Sequence, residues 1–225
     1  MPAGQTAELD WKDSGTPVSR RFDDPYFSLE NGLAETRHVF LGGNDLPARF
    51  APGFHVAELG FGTGLNMLAT LIAWRDSGAA GPLRFTSFEA YPMAAEDISR
   101  ALNAFPEVTA AAGPFLEQWA AGKRIIETSD LRAEIVIGDA RQTLANWAHR
   151  ADAWFLDGFS PARNPELWGN ALMAQVARHT APGGSFATYT AAGHVRRALA
   201  DAGFAVRRRA GYGRKRHMSI GSLTS

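Results

Sequence analysis

The chain contains no cysteine in its 225 residues. That excludes disulfides, thiolate metal sites, iron–sulfur clusters and every cysteine nucleophile. It contains no apolar run of about 18 residues, so no membrane span is expected. No basic stretch followed by an apolar one opens the N-terminus, so no secretory signal is read. Charge imbalance is missing too, since 23 Lys and Arg offset 23 Asp and Glu. The six histidines (His38, His55, His149, His179, His194 and His217) show no i, i+3 or i+4 pair, which argues against a metal site. Internal repeats, low-complexity segments and linkers are also lacking. What is present is 45% hydrophobic, with 14 Phe and 6 Trp, ample for a packed core. The expectation is a soluble cytoplasmic protein, a single domain over 1–225 with an N-terminal arm over about 1–45.

Beyond that arm, whose first 25 residues read as polar and irregular, strands alternate with helices. Strands are predicted at 54–59, 83–89, 131–137, 153–156, 185–190, 204–208 and 217–223, with a further short one at 35–41. Helices are predicted at 65–74, 94–103, 115–121, 142–149, 167–179 and 194–202. Alternation of this kind implies an α/β fold, a roughly seven-stranded, mostly parallel sheet covered by helices on both faces.

The most informative stretch is Glu58-Leu59-Gly60-Phe61-Gly62-Thr63-Gly64-Leu65-Asn66. It lies where the first central strand meets its helix, so bare backbone and a helix N-terminus face a ligand. A dinucleotide fingerprint requires Gly or Ala at position 65, and Leu65 stands there. Glu58, just ahead of the first glycine, suits a positively charged ligand better than a pyrophosphate. Both departures favour S-adenosylmethionine, a sulfonium with an ammonium group, over NAD.

In such sheets ligands lie beyond the carboxyl ends of the strands. Glu89 closes the second of these strands, where an acid reaches ribose hydroxyls, Asp139 follows the third, and Asp157 ends the fourth. Each acid alone is an ordinary cap or turn former. Three at successive strand ends, on the edge that carries the glycine turn, form a constellation. A separate cluster is basic: Arg207, Arg208, Arg209, Arg214, Lys215 and Arg216, with Arg196 and Arg197 nearby in sequence. It is either a solvated strand end or a phosphate-contacting patch.

Leu156-Asp157-Gly158 followed by Phe159-Ser160-Pro161-Ala162-Arg163-Asn164-Pro165-Glu166-Leu167-Trp168 resembles the fourth-strand motif of the methyltransferase domain of the MnmC family. Further blocks resemble the same family: Gly15-Thr16-Pro17-Val18-Ser19-Arg20, Phe22-Asp23-Asp24-Pro25-Tyr26-Phe27-Ser28, Glu35-Thr36-Arg37-His38-Val39-Phe40-Leu41-Gly42-Gly43-Asn44, Ser87-Phe88-Glu89, Thr190-Ala191-Ala192-Gly193-His194-Val195-Arg196-Arg197 and Gly211-Tyr212-Gly213-Arg214-Lys215-Arg216. Two positions depart from the pattern, Glu166 for an expected Asp and His217 for an expected Glu, and neither is expected near the chemistry.

The resemblance implies a class I, Rossmann-like methyltransferase that moves a methyl from S-adenosylmethionine to the amine of 5-aminomethyl-(2-thio)uridine in the anticodon loop of tRNA. Carried over, Glu58, Gly60, Gly62, Gly64 and Asn66 form the cofactor turn, Glu89 holds the ribose, and Asp139 with Ala140 faces the adenine. Tyr26 and Phe27 close over cofactor or base, and Asp157 is the catalytic position. Phe159, Arg163, Arg214, Lys215 and Arg216 are the expected tRNA contacts. Two-domain members continue into an FAD-dependent oxidase. No such sequence follows here, so a separate FAD-dependent oxidase, or other wobble-modification enzymes acting upstream, would supply the substrate.

An alkylamine has a pKa near 10, so only about one in a thousand is neutral at pH 7. Asp157 is therefore preferred as an acceptor that orients N–H groups rather than as a strong base; its plain alternative is a cap on the turn after it. An aminopropyltransferase, a small-molecule amine methyltransferase and a non-catalytic RNA-binding module of the same fold remain alternatives at this point.

Overall fold

A computed structural model describes residues 6–28 and 31–224. The central sheet is built from β4 (His55–Leu59), β5 (Leu83–Glu89), β6 (Ile125–Glu127), β7 (Leu131–Ile137), β8 (Ala151–Leu156), β9 (Thr180–Thr188), β10 (Phe204–Ala210) and β11 (His217–Leu223). Their order is β10-β11-β9-β8-β4-β5-β7-β6. The run from β9 to β7 is parallel, while β6, β11 and β10 each pair antiparallel with their neighbours.

The parallel strands are apolar on both faces because both are covered. Along β4 and β8, alternate side chains enter different cores. Val56 and Phe155 pack with Met67, Leu68 and Leu71 of helix α2 (Leu65–Ser77) and with Phe115 and Trp119 of helix α4 (Pro106–Ala120). Ala57, Leu59, Trp154 and Leu156 pack with Leu172, Met173 and Val176 of helix α6 (Asn170–Arg178) and with Val195 and Leu199 of helix α7 (Gly193–Asp201). The remaining helices are α1 (Gly32–Thr36), α3 (Ala95–Leu102) and α5 (Ala140–Thr143).

The chain leaves β4 toward β5 and β7, then returns to β8 on the other side of β4. The sheet's topological reversal thus lies between β4 and β8, whose carboxyl ends carry the glycine turn and Asp157. Because β11 runs against β9, and β10 against β11, β10 runs with the parallel strands. The β10–β11 loop, residues 211–216, is consequently delivered to the same carboxyl edge.

Several expectations are corrected. Among the described residues an eighth strand, β6, joins the seven expected, a three-residue edge too short to show alternation. The strand expected at 35–41 is helical: α1 is capped by Asn31, whose side chain accepts from the Ala34 amide, and a π-helical turn, Arg37–Leu41, follows. The helix expected at 115–121 starts at Pro106; Pro114 sits inside it on an exposed face, where the carbonyl it leaves unpaired can be hydrated. The helix expected at 142–149 is α5 plus a 3₁₀ turn ending at Asn146. The arm is not irregular. Its β1 (Leu9–Trp11), β2 (Pro17–Ser19) and β3 (Asp24–Pro25) form an antiparallel sheet. Residues 1–5, also read as arm, lie outside the described residues.

Candidate active site

The β4–α2 turn needs glycine for two different reasons. Gly60 has φ +88°, and a Cβ there would come 3.0 Å from the Asp157 carbonyl oxygen. Gly62 has φ +55°, and its Cβ would meet the Tyr26 ring at 3.2 Å. Side chains at these positions would fill the space between turn, β8 and arm. Glu89 pins the turn from the next strand: the Gly62 amide donates to Oε2 at 3.0 Å and the Tyr91 amide to Oε1 at 2.7 Å. Burial pushes the Glu89 carboxyl up, opposed by these amides. Two acceptor positions on its oxygens remain for a ligand hydroxyl pair.

Behind the turn, two carboxylates share one amide. Asn66 Nδ2 donates to Glu58 Oε1 at 2.8 Å and to Asp157 Oδ2 at 2.8 Å. Thr36 Oγ1 donates to Asn66 Oδ1 at 2.7 Å, and Ser87 Oγ to Glu58 Oε2 at 2.7 Å. Glu58 is fully buried, and burial raises its carboxyl well above the usual range. Asp157 Oδ1 accepts from the Gly158 amide at 2.8 Å. Burial pushes the Asp157 carboxyl up to about 6; the Gly158 amide and Asn66 oppose this, Glu35 adds to it and Lys215 lowers it. So Asp157 does cap its own turn, and it also presents its carboxylate to the cavity.

That cavity, about 640 Å³, opens over the carboxyl ends of β4, β5, β7 and β8, within the size of small-molecule sites. Of the residues singled out in the sequence it brings together Gly60, Gly62, Asn66, Glu89, Asp139, Ala140, Asp157, Tyr26, Phe27, Phe159 and Lys215. Glu58, Gly64, Arg163, Arg214 and Arg216 are not on its wall. Glu58 acts from behind Asn66. Gly64 is the N-cap of α2 with φ +75°, and a Cβ there would press on Phe61. Arg163 pairs with Asp23 of the arm at 3.0 Å, and Arg214 and Arg216 are exposed on the β10–β11 loop.

Asp139 caps α5 by accepting from the Arg141 amide at 2.9 Å, and also pairs with the Arg141 side chain, which holds its carboxyl low. Arg141 reaches Glu166 at 3.1 Å, and both line the cavity. Position 166 therefore lies at the site, contrary to expectation. The arm forms the roof. Asp24 accepts from the Ser160 amide at 2.8 Å, Phe22 stacks on Phe159 at 4.6 Å, and Tyr26 meets Phe159 edge-on at 4.9 Å.

Sequence reasoning missed Thr36, Ser87, Asp24, Arg141, Glu35 and Tyr189 as site residues. Tyr189 was accessible by the strand-end rule, since it directly follows β9, but the strand was drawn through it. Glu35 and Thr36 were hidden by the mistaken strand.

A cavity edged by Asp24, Glu35, Glu89, Asp139 and Asp157 repels a pyrophosphate and accepts a cation, and the glycine cradle leaves room for a nucleoside against bare backbone. The residues fit S-adenosylmethionine, and together with the sheet topology they define the methyltransferase class. The family model for S-adenosyl-L-methionine-dependent methyltransferases, Methyltransf_30, matches residues 106–224, and the chain belongs to that family.

More particularly, it is 47% identical over 232 residues to the tRNA 5-methylaminomethyl-2-thiouridine biosynthesis bifunctional protein MnmC of Aeromonas hydrophila, covering 96% of this chain and 35% of that one. It is 45% identical over 243 residues to the protein of the same name from Stutzerimonas stutzeri, covering 99% and 36%. The chain spans about a third of the length of these relatives. The crystal structure of MNMC2 from Aquifex aeolicus shares the fold, with a TM-score of 0.76 at 24% identity over 100% of this chain and 72% of that one. Among the described residues no helix is long and apolar enough to cross a membrane.

Proposed function

We propose that this chain N-methylates the 5-aminomethyl group of 5-aminomethyl-(2-thio)uridine at the tRNA wobble position in the cytoplasm. All 225 residues would act as one methyltransferase domain, supplied with substrate by an FAD-dependent oxidase activity. The observation that carries the reading is Asp157: a partly buried carboxylate on the cavity wall, held by Asn66 and the Gly158 amide, with lone pairs left for an amine.

Bound S-adenosylmethionine supplies an electrophilic methyl group on a sulfonium. Glu89 offers its free acceptors to the ribose hydroxyls, and the backbone at Gly60, Gly62 and Ala140 gives the nucleoside a surface without side chains. Asp157 accepts N–H from the acceptor amine and aims its lone pair. Positioning of this kind accounts for large rate factors without covalent catalysis, which agrees with a chain lacking cysteine. Tyr26, Phe27 and Phe159 offer aromatic faces on which a splayed base stacks. Arg163, Arg214 and Arg216 sit outside the cavity, where phosphates of an anticodon stem-loop would pass. The aminopropyltransferase alternative is disfavoured by this basic rim.

The test is methyl transfer to tRNA carrying 5-aminomethyluridine, read by nucleoside mass spectrometry, for wild type and Asp157→Ala. Expected is a methylaminomethyl nucleoside whose formation drops by about 100-fold or more in the variant while S-adenosylmethionine still binds. Cofactor binding by the wild type with no product on this tRNA would reject the substrate.

A further inference from the structure

The cavity already contains one bound alkylammonium group, the chain's own. Lys215 Nζ lies 2.7 Å from Glu35 Oε1 and 4.2 Å from the centre of the Tyr189 ring. Glu35 is nearly buried, with 12% of its side chain exposed, whereas Lys215 is 47% exposed on the β10–β11 loop. Tyr189 is fixed from beneath, its hydroxyl donating to the Gly158 carbonyl at 2.7 Å. All three residues line the cavity that holds Asp157. A carboxylate beside an aromatic face is the standard chemistry for holding a primary ammonium.

We propose that Glu35 and the Tyr189 ring form the subsite that receives the substrate's protonated aminomethyl group, and that Lys215 occupies it until substrate arrives. This rests on the wobble-amine reading and deepens it. The acceptor reaches the protein as an ammonium ion at pH 7. Glu35 and Tyr189 hold it in that form next to Asp157, and its proton must leave to solvent before attack. Lys215 is mounted on a mobile-length side chain at the surface. Once displaced, it swings to the rim beside Arg214 and Arg216, where it meets phosphate. Entry of the amine and closure of the basic rim on the nucleic acid become one exchange of lysine for substrate. Glu35 is thereby a specificity residue for charged primary amines, distinct from Asp157.

The test uses n-butylamine as probe, titrated by NMR at pH 7 into full-length protein without tRNA. Lys215→Ala vacates the subsite and is expected to bind n-butylamine at least about tenfold more tightly than wild type. Adding Glu35→Gln, or separately Tyr189→Leu, to Lys215→Ala is expected to return affinity to the wild-type level, with thermal melts confirming that each protein is folded. Equal affinity in wild type and Lys215→Ala would overturn the proposal, as would a gain that survives both second substitutions. Because no tRNA is present, loss of the wobble-uridine reading and loss of the subsite give separate results. A chain that binds the amine through Glu35 yet leaves tRNA unmodified keeps the second and loses the first.

Discussion

Asp157 sits under two opposing demands. As an N–H acceptor it must be ionised, yet burial has moved its carboxyl up to about 6. Below that pH the free protein carries a neutral acid, a weaker acceptor that also presents an O–H donor to the substrate amine. The value of kcat/KM already falls about tenfold per unit below the amine's pKa near 10, and it is expected to steepen by about a further tenfold per unit below pH 6; a slope unchanged down to pH 5 would contradict the assignment. The stability sign is the reverse. A carboxyl raised above its unfolded value near 3.8 binds its proton more tightly in the native state, so its charge is a burden at pH 7 that is relieved as pH falls through 6. The offset is roughly two pH units, on the order of 3 kcal/mol. His55 also contributes to the pH dependence of stability, because burial, Arg84 and His149 drive its ring down to about 3 in the folded chain while the unfolded ring takes up a proton near 6.5. The clean observable is thus a difference. Asp157→Asn should melt higher than wild type at pH 8, and the gap should narrow toward pH 5.

At the scale of elements, the β4–α2 turn is where small changes cost most. Gly62→Ala must hold alanine at φ +55° with its methyl 3.2 Å from the Tyr26 ring. The expected cost is about 1–2 kcal/mol of stability, accompanied by weaker S-adenosylmethionine binding because Tyr26 is pushed off the cavity roof. Calorimetry on the variant reads both. Gly43 presents a different constraint: a Cβ there would lie 2.6 Å from the Ala187 Cβ, so the segment 37–44 packs flush against β9. Gly43→Val should destabilise by about 1–3 kcal/mol through overpacking, with little effect on catalysis in the protein that remains folded.

These two glycines also mark what could be read in advance. The parallel strands were legible because burial on both faces makes them apolar runs, and their order along the chain tells which end faces the ligand. Glu89, Asp139 and Asp157 follow from that alone. The segment 35–41 was not legible, since Val39-Phe40-Leu41 is equally apolar as a buried helix and as a strand. Its cap, Asn31, is a helix-start signal, but the five-residue helix it opens is too short to show a helical period. Glu35, Tyr189 and Lys215 meet across as many as 180 residues, and no local pattern encodes that approach. Glu166 was misjudged because its partner Arg141 lies on a different strand-end loop.

For the whole molecule, zero net charge conceals an uneven surface. Arg207, Arg208 and Arg209 are exposed on β10, the outermost strand, and the loop bearing Arg214 and Arg216 continues from it to the cavity edge. If this rim tracks a phosphate backbone, Arg214→Ala with Arg216→Ala should weaken tRNA binding at low salt and reduce the slope of log affinity against log salt by about two. An unaltered slope would remove these residues from the interface.

The roof of the cavity comes from residues 22–27, and its anchor, the Ser160 amide, lies 136 residues beyond Asp24. The Lys215–Glu35 contact closes over 180. During synthesis the arm is among the first segments made and must wait for the chain beyond β8 before its anchor exists. Contacts this distant in sequence form late in folding. A chain stalled before Ser160 lacks the anchor of the roof, and one stalled before Lys215 lacks the contact to Glu35. The lysine contact becomes a certificate that the last hairpin is in place.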